Sequence, residues 1–445
     1  MPQKYKAVRG TADVLPYDSY KWQYVENKMI EVSRLFGFRE IRVPVFEHTE
    51  VFTRSVGDTT DVVQKEMYTF DDKGGRSITL RPEFTAGVVR SVIEHGLTNE
   101  ALPLKVCYIG ACYRYEKPQA GRYREFHQYG VECIGAPAPS ADAEVIALAK
   151  YLLESLDISD LRLELNSIGC PECRPKYQAA LKEYFKSHED KLCNTCLERL
   201  DRNPLRILDC KSEVCSGLKA QAPVVLDFLC DECKTHFEGV KRHLEAMNIK
   251  YVINPRIVRG LDYYTRTVFE FIAEDIGAQS TVCGGGRYDG LIEQMGGPSV
   301  PALGFAMGIE RLLLVMESRK AAFPRPKPCE VYIAPIGERA AEYASKLCGL
   351  LRAEGFSAAT DLAGRSVKAQ MKYADKIGAL YTLVLGDNEL ESKVAVLKDM
   401  KTGKQVEVNL PDGLITAVYD QTINSAMDDL TKSIEKMEGL FNINE

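Results

Sequence analysis

Eight of the fourteen cysteines crowd into residues 170–233, and this cluster limits how that part of the chain can fold. The eight are Cys170, Cys173, Cys193, Cys196, Cys210, Cys215, Cys230 and Cys233. They form three C-x-x-C pairs and one looser pair, a set large enough for two tetrahedral four-cysteine zinc sites. The spacing does not select how the pairs combine, and inert buried thiols or a redox or iron–sulfur role are alternatives.

Charge and hydropathy narrow the class of protein. The first ten residues are polar and basic without an apolar core, so we expect a cytoplasmic protein with reduced cysteines, which favours metal over disulfides. No run approaches the roughly 18 apolar residues of a membrane span, so none is expected. With 57 Lys and Arg against 63 Asp and Glu, the net charge is −6, and a nucleic acid would have to meet a local basic surface.

Alternating and helical periodicities predict a discontinuous, antiparallel α+β unit over residues 1–325. The predicted helices are 18–36, 86–95, 140–156 and 302–318, and the predicted strands are 38–47, 77–85, 105–116, 126–134, 161–165, 251–254, 267–272 and 280–286. Strands 105–116 and 126–134 form one long hairpin in this prediction, and Pro44 places strand 38–47 at a sheet edge or a partner interface. A mostly helical, cysteine-rich insertion over residues 166–250 interrupts the unit.

Prolines 324, 326 and 328 make a stiff linker and mark a domain boundary. Strands and helices alternate after it, which predicts an α/β domain over residues 330–420. A polar helical tail is predicted over residues 421–445. A length of 445 residues suits roughly three structural units of this kind.

Four short segments combine charge, glycine and aromatic residues in ways that packing alone does not require. The basic hairpin 114–126 could bind phosphate through guanidinium groups and stack a base on its phenylalanine, although a solvated charged hairpin is the alternative. Segment 259–266 joins arginines, a glycine and two tyrosines. Segment 284–290 is so rich in glycine that another group must lie close to its backbone, and it is not a dinucleotide-binding fingerprint. Segment 304–311 opens a helix with Arg311, where an arginine can meet polyphosphate.

These segments resemble those of a known class of enzymes. The helix and strand at 18–47, the arginine–glutamate hairpin at 114–116 and the helix start at 304–311 resemble motifs 1, 2 and 3 of class II aminoacyl-tRNA synthetases. Segments 258–264 (VRGLDYY) and 285–290 (GGRYDG) resemble the two signatures of bacterial-type histidyl-tRNA synthetases.

The resemblance runs from about residue 5 to residue 420 and implies a fold. That fold is the class II antiparallel sheet flanked by helices, with a helical cysteine-rich insertion and an α/β anticodon-binding domain over residues 330–420. The cysteine pairs depart from the family pattern, because the family's insertion does not generally carry them.

The resemblance also implies a two-step reaction. L-histidine and ATP, with Mg²⁺, give histidyl-adenylate and pyrophosphate, and the histidyl group then moves to the 3′ end of tRNA(His). The carboxylate of histidine is the nucleophile in the first step. Catalysis should therefore come from positioning and from charge stabilisation at the α-phosphate rather than from a catalytic base.

The nucleotide-binding residues are carried over from the same family motifs. Arg114 matches the arginine that holds the α-phosphate, Glu116 the carboxylate near the adenine amino group, and Phe126 the ring that stacks on adenine. Arg311 matches the arginine on the γ-phosphate. Arg259 matches an arginine that stands beside the α-phosphate where other class II enzymes place a metal ion, so Arg114 and Arg259 are the expected catalytic residues.

The resemblance implies a histidine-binding set of Glu83, Thr85, Gln128, Glu132, Arg259, Tyr263 and Tyr264. In this set Glu132 and Tyr264 read the two imidazole nitrogens, whereas the first three residues receive the α-amino group. Spacing alone would instead predict a strand surface charge for Glu132 and a half-buried packing role for Tyr264.

Partner contacts follow from the resemblance as well. Lys117, Gln119 and Arg122 lie in the loop that resembles the reader of the tRNA acceptor stem, and motif 1 implies a homodimer. Two alternatives differ in class. A non-catalytic regulatory paralogue would tend to lack the motif arginines and the C-terminal domain, and a ligase of the same fold would act on another small acid.

Overall fold

The computed structural model describes residues 5–57, 60–208, 210, 212–257, 259–273 and 281–441. The chain divides into two compact units, Met1–Pro324 and Arg325–Glu445. Outside the described residues lie residues 1–4 of the polar N-terminus, Val258 of the first signature, Ser280 of a predicted strand and residues 442–445 of the predicted tail. None of the helices in the described ranges combines the length and the apolar character needed to cross a bilayer.

The first unit consists of two groups of elements separated by the insertion. The first group is α1 (Ser19–Leu35), β1 (Arg39–Glu40), β2 (Phe46–His48), α2 (Thr49–Val56), β3 (Tyr68–Asp71), β4 (Ser77–Leu80), α3 (Thr85–Glu94), β5 (Leu104–Tyr113), β6 (Glu125–Ile134), α4 (Pro139–Ser155) and β7 (Arg162–Ser167). The insertion contains α5 (Cys173–Lys186), α6 (Asn194–Arg202), α7 (Glu213–Lys219) and α8 (Asp231–Ala246). The second group is β8 (Val252–Ile253), β9 (Thr265–Ile272), β10 (Thr281–Arg287), α9 (Leu291–Gln294), β11 (Ala302–Gly308) and α10 (Ile309–Ser318).

The described residues of this unit form a large sheet with the strand order β1-β5-β6-β11-β10-β9-β7-β8. Neighbouring strands from β5 to β7 in this order are antiparallel, whereas β1 pairs with β5 and β8 pairs with β7 in parallel. The prediction of an antiparallel sheet is therefore right at its centre and wrong at both edges. The predicted hairpin is confirmed, because β5 and β6 pair from Leu104 opposite Ile134 to Tyr113 opposite Glu125.

The two faces of this sheet have different surroundings. Helices α1, α4 and α10 cover one face, where Tyr129, Val131 and Phe305 of β6 and β11 are buried in the main core. Because side chains alternate along a strand, Gln128 and Glu132 of β6 point to the opposite face. That face carries the polar cavity described below.

The predicted helix over residues 18–36 is confirmed as α1. Val25, Met29 and Val32 recur at spacings of four and three residues, and all three are fully buried. The chain turns after the helix at Gly37, whose φ of +77° suits glycine.

The single strand predicted over residues 38–47 is wrong. The chain forms two short strands there, of which β1 lies in the large sheet and β2 lies in a separate sheet of order β2-β4-β3. Pro44 lies between them and has no N–H to donate to a ladder, which explains the interruption.

The helix predicted over residues 302–318 is wrong in its first half. Residues 302–308 form β11, which pairs with β6 on one side and β10 on the other, and helix α10 begins only at Ile309. A side chain at Gly285 of β10 would come within 3.0 Å of the Gly304 carbonyl. Glycines therefore serve close strand packing here rather than a helix start.

The second unit contains β12 (Val331–Pro335), α11 (Glu338–Ala353), β13 (Ala358–Thr360), α12 (Val367–Lys376), β14 (Tyr381–Leu385), α13 (Asp387–Ser392), β15 (Val394–Asp399), β16 (Gln405–Asn409) and α14 (Asp412–Phe441). Its described strands form a sheet of order β13-β12-β14-β15-β16, as expected of an α/β domain. The segment predicted as a separate tail continues α14, which begins at Asp412. The helix starts this early because Leu414 and Val418 are fully buried in the core of the unit.

Candidate active site

A cavity of about 220 Å³ opens on the polar face of the large sheet. All residues predicted to bind ATP or histidine line it, namely Glu83, Thr85, Arg114, Glu116, Phe126, Gln128, Glu132, Arg259, Tyr263, Tyr264 and Arg311. They come from β6, from the starts of α3 and α10, and from the segments that follow β5 and precede β9. The fold thus gathers into one cavity residues that are widely separated in the sequence.

One end of the cavity is cationic. Arg114 Nε donates to the Pro82 carbonyl at 2.8 Å, and Arg311 donates to the carbonyls of Gly121 at 3.2 Å and Thr281 at 2.9 Å. Burial lowers the pKa of Arg311, and the neighbouring charges of Arg122 and Arg114 lower it further. These guanidinium groups repel one another, so a polyanion bound between them would relieve that repulsion.

Phe126 and Glu116 lie beside these cations. The Arg114 guanidinium carbon is 5.3 Å from the centre of the Phe126 ring. Glu116 forms an ion pair with Arg122. The ring, the carboxylate and the arginines form an environment suited to a purine base attached to phosphates.

Arg259 approaches the cavity from the segment before β9. Its guanidinium forms an ion pair with Glu270 of β9 and lies 5.5 Å from the centre of the Tyr264 ring. A side chain at Gly284 would come within 3.0 Å of this guanidinium. The group that must lie close to the glycine-rich segment 284–290 is therefore the side chain of Arg259.

Glu132 forms the other end of the cavity. It is 1% exposed, and its carboxylate accepts hydrogen bonds from Thr85 Oγ1 at 2.8 Å, Tyr108 Oη at 3.0 Å and Tyr288 Oη. Burial raises the pKa of Glu132 to about 8, although these three donors oppose the shift. The interpretation of Glu132 as a strand surface charge is thus wrong. Side chains alternate between the two faces along β6, and Glu132 lies on the face that carries the cavity.

Glu83 and Gln128 also line the cavity. Both oxygens of Glu83 accept hydrogen bonds from backbone N–H groups at the start of α3, from Thr85 at 2.7 Å and from Ala86 at 2.8 Å. Burial raises the pKa of Glu83. Gln128 Oε1 accepts a hydrogen bond from Cys112 Sγ at 3.4 Å. The helix start thereby fixes a carboxyl group in the cavity wall.

The two tyrosines of the signature segment 258–264 pack against each other, with ring centres 4.7 Å apart. Tyr263 also meets the Tyr288 ring edge-on at 5.6 Å. Both Tyr263 and Tyr264 are buried, so the prediction of a half-buried Tyr264 from spacing alone is wrong.

The three residues predicted to contact tRNA lie in different surroundings. Lys117 and Gln119 are exposed and do not line the cavity. The backbones of Gln119 and Arg122 exchange hydrogen bonds at 3.1 and 2.9 Å around Gly121, whose φ is +68°. The side chain of Arg122 turns into the cavity and meets Glu116.

Sequence reasoning missed three residues that orient those in the cavity. Tyr108 and Tyr288 donate to Glu132, and Glu270 holds Arg259. Tyr288 lies in the glycine-rich segment and could have been found there. Tyr108 and Glu270 carried no signal, because a single polar group in a strand does not reveal what it will face.

The insertion gathers all eight of its cysteines into two groups of four. Cluster A comprises Cys170, Cys173, Cys230 and Cys233, and cluster B comprises Cys193, Cys196, Cys210 and Cys215. Within each cluster all four sulfur atoms lie within 4.8 Å of one another. The resolved Sγ–Sγ contacts are 3.6 and 3.9 Å in cluster A and 3.7 Å in cluster B.

These separations fit a metal. Four sulfurs bound tetrahedrally at about 2.3 Å from zinc lie about 3.8 Å apart. Backbone N–H groups also point at the sulfurs, with Cys230 N donating to Cys173 Sγ at 3.2 Å and Cys193 N to Cys215 Sγ at 3.4 Å. Each cluster could therefore bind one metal ion, and the structure supplies the pairing that the spacing left open.

A central antiparallel sheet with converging arginines on its open face defines the class II aminoacyl-tRNA synthetases, and comparison with known proteins identifies the family. Residues 10–312 match the histidyl-tRNA synthetase family profile, and residues 330–416 match an anticodon-binding domain. The histidine–tRNA ligase of Acetivibrio thermocellus is 57% identical over 411 residues, covering 92% of this chain and 98% of that protein. The ligase of Caldanaerobacter subterraneus subsp. tengcongensis is 56% identical over 403 residues, covering 91% and 97%.

A solved structure agrees with these relatives. Apo histidyl-tRNA synthetase from S. aureus superposes with a TM-score of 0.80 at 41% identity, covering 93% of this chain and 99% of that one. The chain belongs to the histidyl-tRNA synthetase family.

Proposed function

We propose that the cavity on the large sheet activates L-histidine with ATP, and that the histidyl group then moves to the 3′ end of tRNA(His). As a member of its family, the chain is a histidine–tRNA ligase, an ATP-dependent enzyme. The observation that carries the proposal is the convergence of Arg114, Arg259 and Arg311 with the buried carboxyl group of Glu132 on one cavity.

The activation step needs charge stabilisation rather than a base. The histidine carboxylate attacks the α-phosphate, and negative charge grows on its oxygens as pyrophosphate leaves. Arg114 and Arg259 stabilise that charge, and Arg311 holds the γ-phosphate so that the displacement is in line. Mg²⁺ bound with ATP would add positive charge on the phosphates. Glu310 in the cavity wall would supply it with a carboxylate oxygen, and hydrogen bonds from His127 to both Glu310 oxygens hold that carboxylate in place.

In this proposal Glu116 and Phe126 bind adenine, by accepting from its amino group and by stacking on its ring. Glu83, Thr85 and Gln128 receive the α-amino group of histidine. Glu132 and Tyr264 read the imidazole, with Tyr263 packed beside them, so an analogue that lacks one ring nitrogen would leave a buried group unpaired.

An amino-acid panel tests this function. ATP–pyrophosphate exchange, measured with each of the twenty amino acids, is expected with histidine, with discrimination of about four to five powers of ten over amino acids that lack the ring nitrogens. Exchange that depends on another acid would contradict the assignment in favour of a different ligase. Absence of exchange with every amino acid would indicate a regulatory paralogue.

We predict that histidine binds most tightly between about pH 6.5 and pH 8. Free histidine is protonated on its imidazole below about pH 6.5, and Glu132 keeps its proton up to a pKa of about 8. The bound imidazole and Glu132 together hold one titratable proton. Below about pH 6.5 the free partners carry two such protons, so binding must release one. Above about pH 8 they carry none, so binding must take one up. Affinity should therefore fall up to about tenfold per pH unit in both directions.

Isothermal titration calorimetry across this pH range measures the effect. Glu132→Gln is the control, because a glutamine cannot titrate. The alkaline loss of affinity should then shrink to the part caused by deprotonation of the α-ammonium group of histidine. A wild-type affinity that is unchanged between pH 7 and pH 9.5 would contradict the assignment of Glu132 to the imidazole.

We propose structural zinc at clusters A and B. Cluster cysteines such as Cys173, Cys196 and Cys215 are buried in the small apolar core of the insertion, where bonds to a metal would add to the stability that the apolar contacts give. Thiolate ligands in tetrahedral groups favour zinc, and zinc binding would contribute directly to folding of the insertion.

We predict two zinc ions per chain in protein purified without a tag. Elemental analysis should give a value near two for the wild type and near one for Cys210→Ser, because that change removes a ligand of cluster B alone. Cys348→Ser is the control, because this buried thiol lies in the second unit and should leave the zinc content unchanged. Less than about one zinc per wild-type chain would refute the metal proposal.

The remaining assignments concern domains and partners. We assign residues 1–325 to a discontinuous catalytic domain that contains the insertion over residues 166–250. Residues 330–420 would form the anticodon-binding domain, and residues 421–445 a polar helical tail. Lys117, Gln119 and Arg122 would contact the acceptor stem, and the exposed positions of the first two suit that role. Motif 1 would form a homodimer, and we expect the enzyme in the cytoplasm.

A further inference from the structure

The segment 259–264 carries Arg259, Tyr263 and Tyr264, and the insertion contacts it from outside the active site. Arg206 donates from Nη2 to the Gly260 carbonyl at 3.0 Å and to Asp262 Oδ1 at 2.7 Å. Each contact crosses from the insertion to the catalytic unit. They fix the segment on the side that faces away from the histidine site.

A second arginine of the insertion contacts the end of the same segment. Arg174 donates from Nη2 to the Tyr264 carbonyl. Arg206 and Arg174 thus hold the segment at both ends.

These contacts matter because the two tyrosines of the segment pack in an apolar core, whereas Arg259 and Asp262 border a cavity. This second cavity, of about 230 Å³, is lined by Asn166, Ile168, Arg174, Arg206 and Arg259 among others. Two buried polar atoms at this cavity, Asn166 Oδ1 and Arg259 Nε, have no hydrogen-bond partner among the residues that the structure describes. The part of the segment that borders the cavity gains less from packing, so directed hydrogen bonds have a larger share in fixing its position.

Each of the two arginines lies close in the sequence to the cysteines of a different cluster. Arg174 follows Cys173 of cluster A in the first turn of α5. Arg206 lies between Cys196 and Cys210 of cluster B, and its neighbour Ile207 is fully buried in the same core as those cysteines. The positions of both guanidinium groups therefore depend on the fold around the clusters.

We propose that Arg206 and Arg174 are positioning residues for histidine activation, and that they make histidine binding depend on the metal-loaded fold of the insertion. The inference rests on the proposed function, because it gives a reason why segment 259–264 must be held. It gives the insertion a role in histidine binding, which it performs from outside the active site.

Arg206→Ala is the first test. We expect kcat/KM for histidine in pyrophosphate exchange to fall about 10- to 100-fold, because small displacements of reacting groups cost this much. The KM for ATP should stay within about twofold, and the zinc content should not change. Arg206→Lys keeps the ion pair with Asp262 and should recover part of the histidine affinity measured by calorimetry.

Two further variants keep the test decisive. Asp262→Asn removes the charge that Arg206 meets without altering the insertion, and it should weaken histidine binding in the same direction even if Arg206→Ala disturbs the fold. Lys182→Ala is the matched control, because Lys182 pairs with Asp201 on the surface of the insertion and should leave histidine binding unchanged.

Metal removal tests the coupling. Wild-type protein stripped of zinc should bind histidine as weakly as Arg206→Ala does, and stripping the variant should add little. Unchanged histidine affinity in Asp262→Asn, or in the stripped wild type, would overturn the proposal. A wild type that shows no exchange with histidine would instead refute the proposed function, so the two failures are distinguishable.

Discussion

Replacing Arg259 with alanine is expected to reduce histidine-dependent pyrophosphate exchange by at least about a thousandfold while the fold stays intact. The guanidinium lies in the cavity, is paired with Glu270 and cannot lose its charge at any working pH. It is therefore available at the α-phosphate throughout the reaction. A cation placed where charge develops is the largest single contribution that such a site can make.

The size of this effect has two checks. Arg259→Lys keeps the charge but not the planar fork, so it should retain more activity than alanine while remaining well below wild type. Thermal unfolding should show that Arg259→Ala still folds cooperatively. Exchange at a near-normal rate in Arg259→Ala would remove this residue from the catalytic mechanism.

Gly304→Ala is expected to have the second-largest effect, although Gly304 touches no substrate in the proposed mechanism. A methyl group there would lie within 3.0 Å of both a Glu132 oxygen and the Val131 carbonyl. The backbone of β6 cannot yield without moving Glu132, so we expect histidine-dependent exchange to fall at least about a hundredfold. Overpacking of this kind also destabilises by about 1–3 kcal/mol, so the thermal midpoint should fall as well.

Gly290→Ala is the matched control for this prediction. A methyl group at Gly290 would meet nothing within 4 Å in the part of the chain that the structure describes, and the φ of −93° at this position is allowed for alanine. Stability and exchange should therefore remain close to wild type. Normal exchange in Gly304→Ala would show that β11 does not need this close approach to Glu132.

The sequence predicted most of the fold where one periodicity dominated. The hairpin of β5 and β6 and the helix α1 could be predicted because their apolar residues alternate or recur on one face. Segment 302–308 could not, because a strand paired on both sides is apolar throughout and resembles a buried helix. Pro44 signalled an interruption, but not that the chain would divide between two sheets.

The candidate site shows the same limit. Its residues could be named only through the resemblance, because Glu132 has the spacing of a surface charge and becomes buried through contacts with Thr85, Tyr108 and Tyr288. The cysteine spacing predicted two clusters without their pairing. Cluster A joins Cys170 to Cys233, 63 positions apart, and only the packed insertion brings them together.

The central claim is that Arg114, Arg259 and Arg311 meet on one triphosphate beside histidine bound at Glu132. A crystal structure with histidine and a non-hydrolysable ATP analogue tests it most directly. We predict that guanidinium nitrogens of Arg114 and Arg259 lie about 2.7–3.0 Å from α-phosphate oxygens, with Arg311 on the γ-phosphate and the imidazole on Glu132. A nucleotide bound outside this cavity, or phosphates that none of the three arginines contact, would contradict the account.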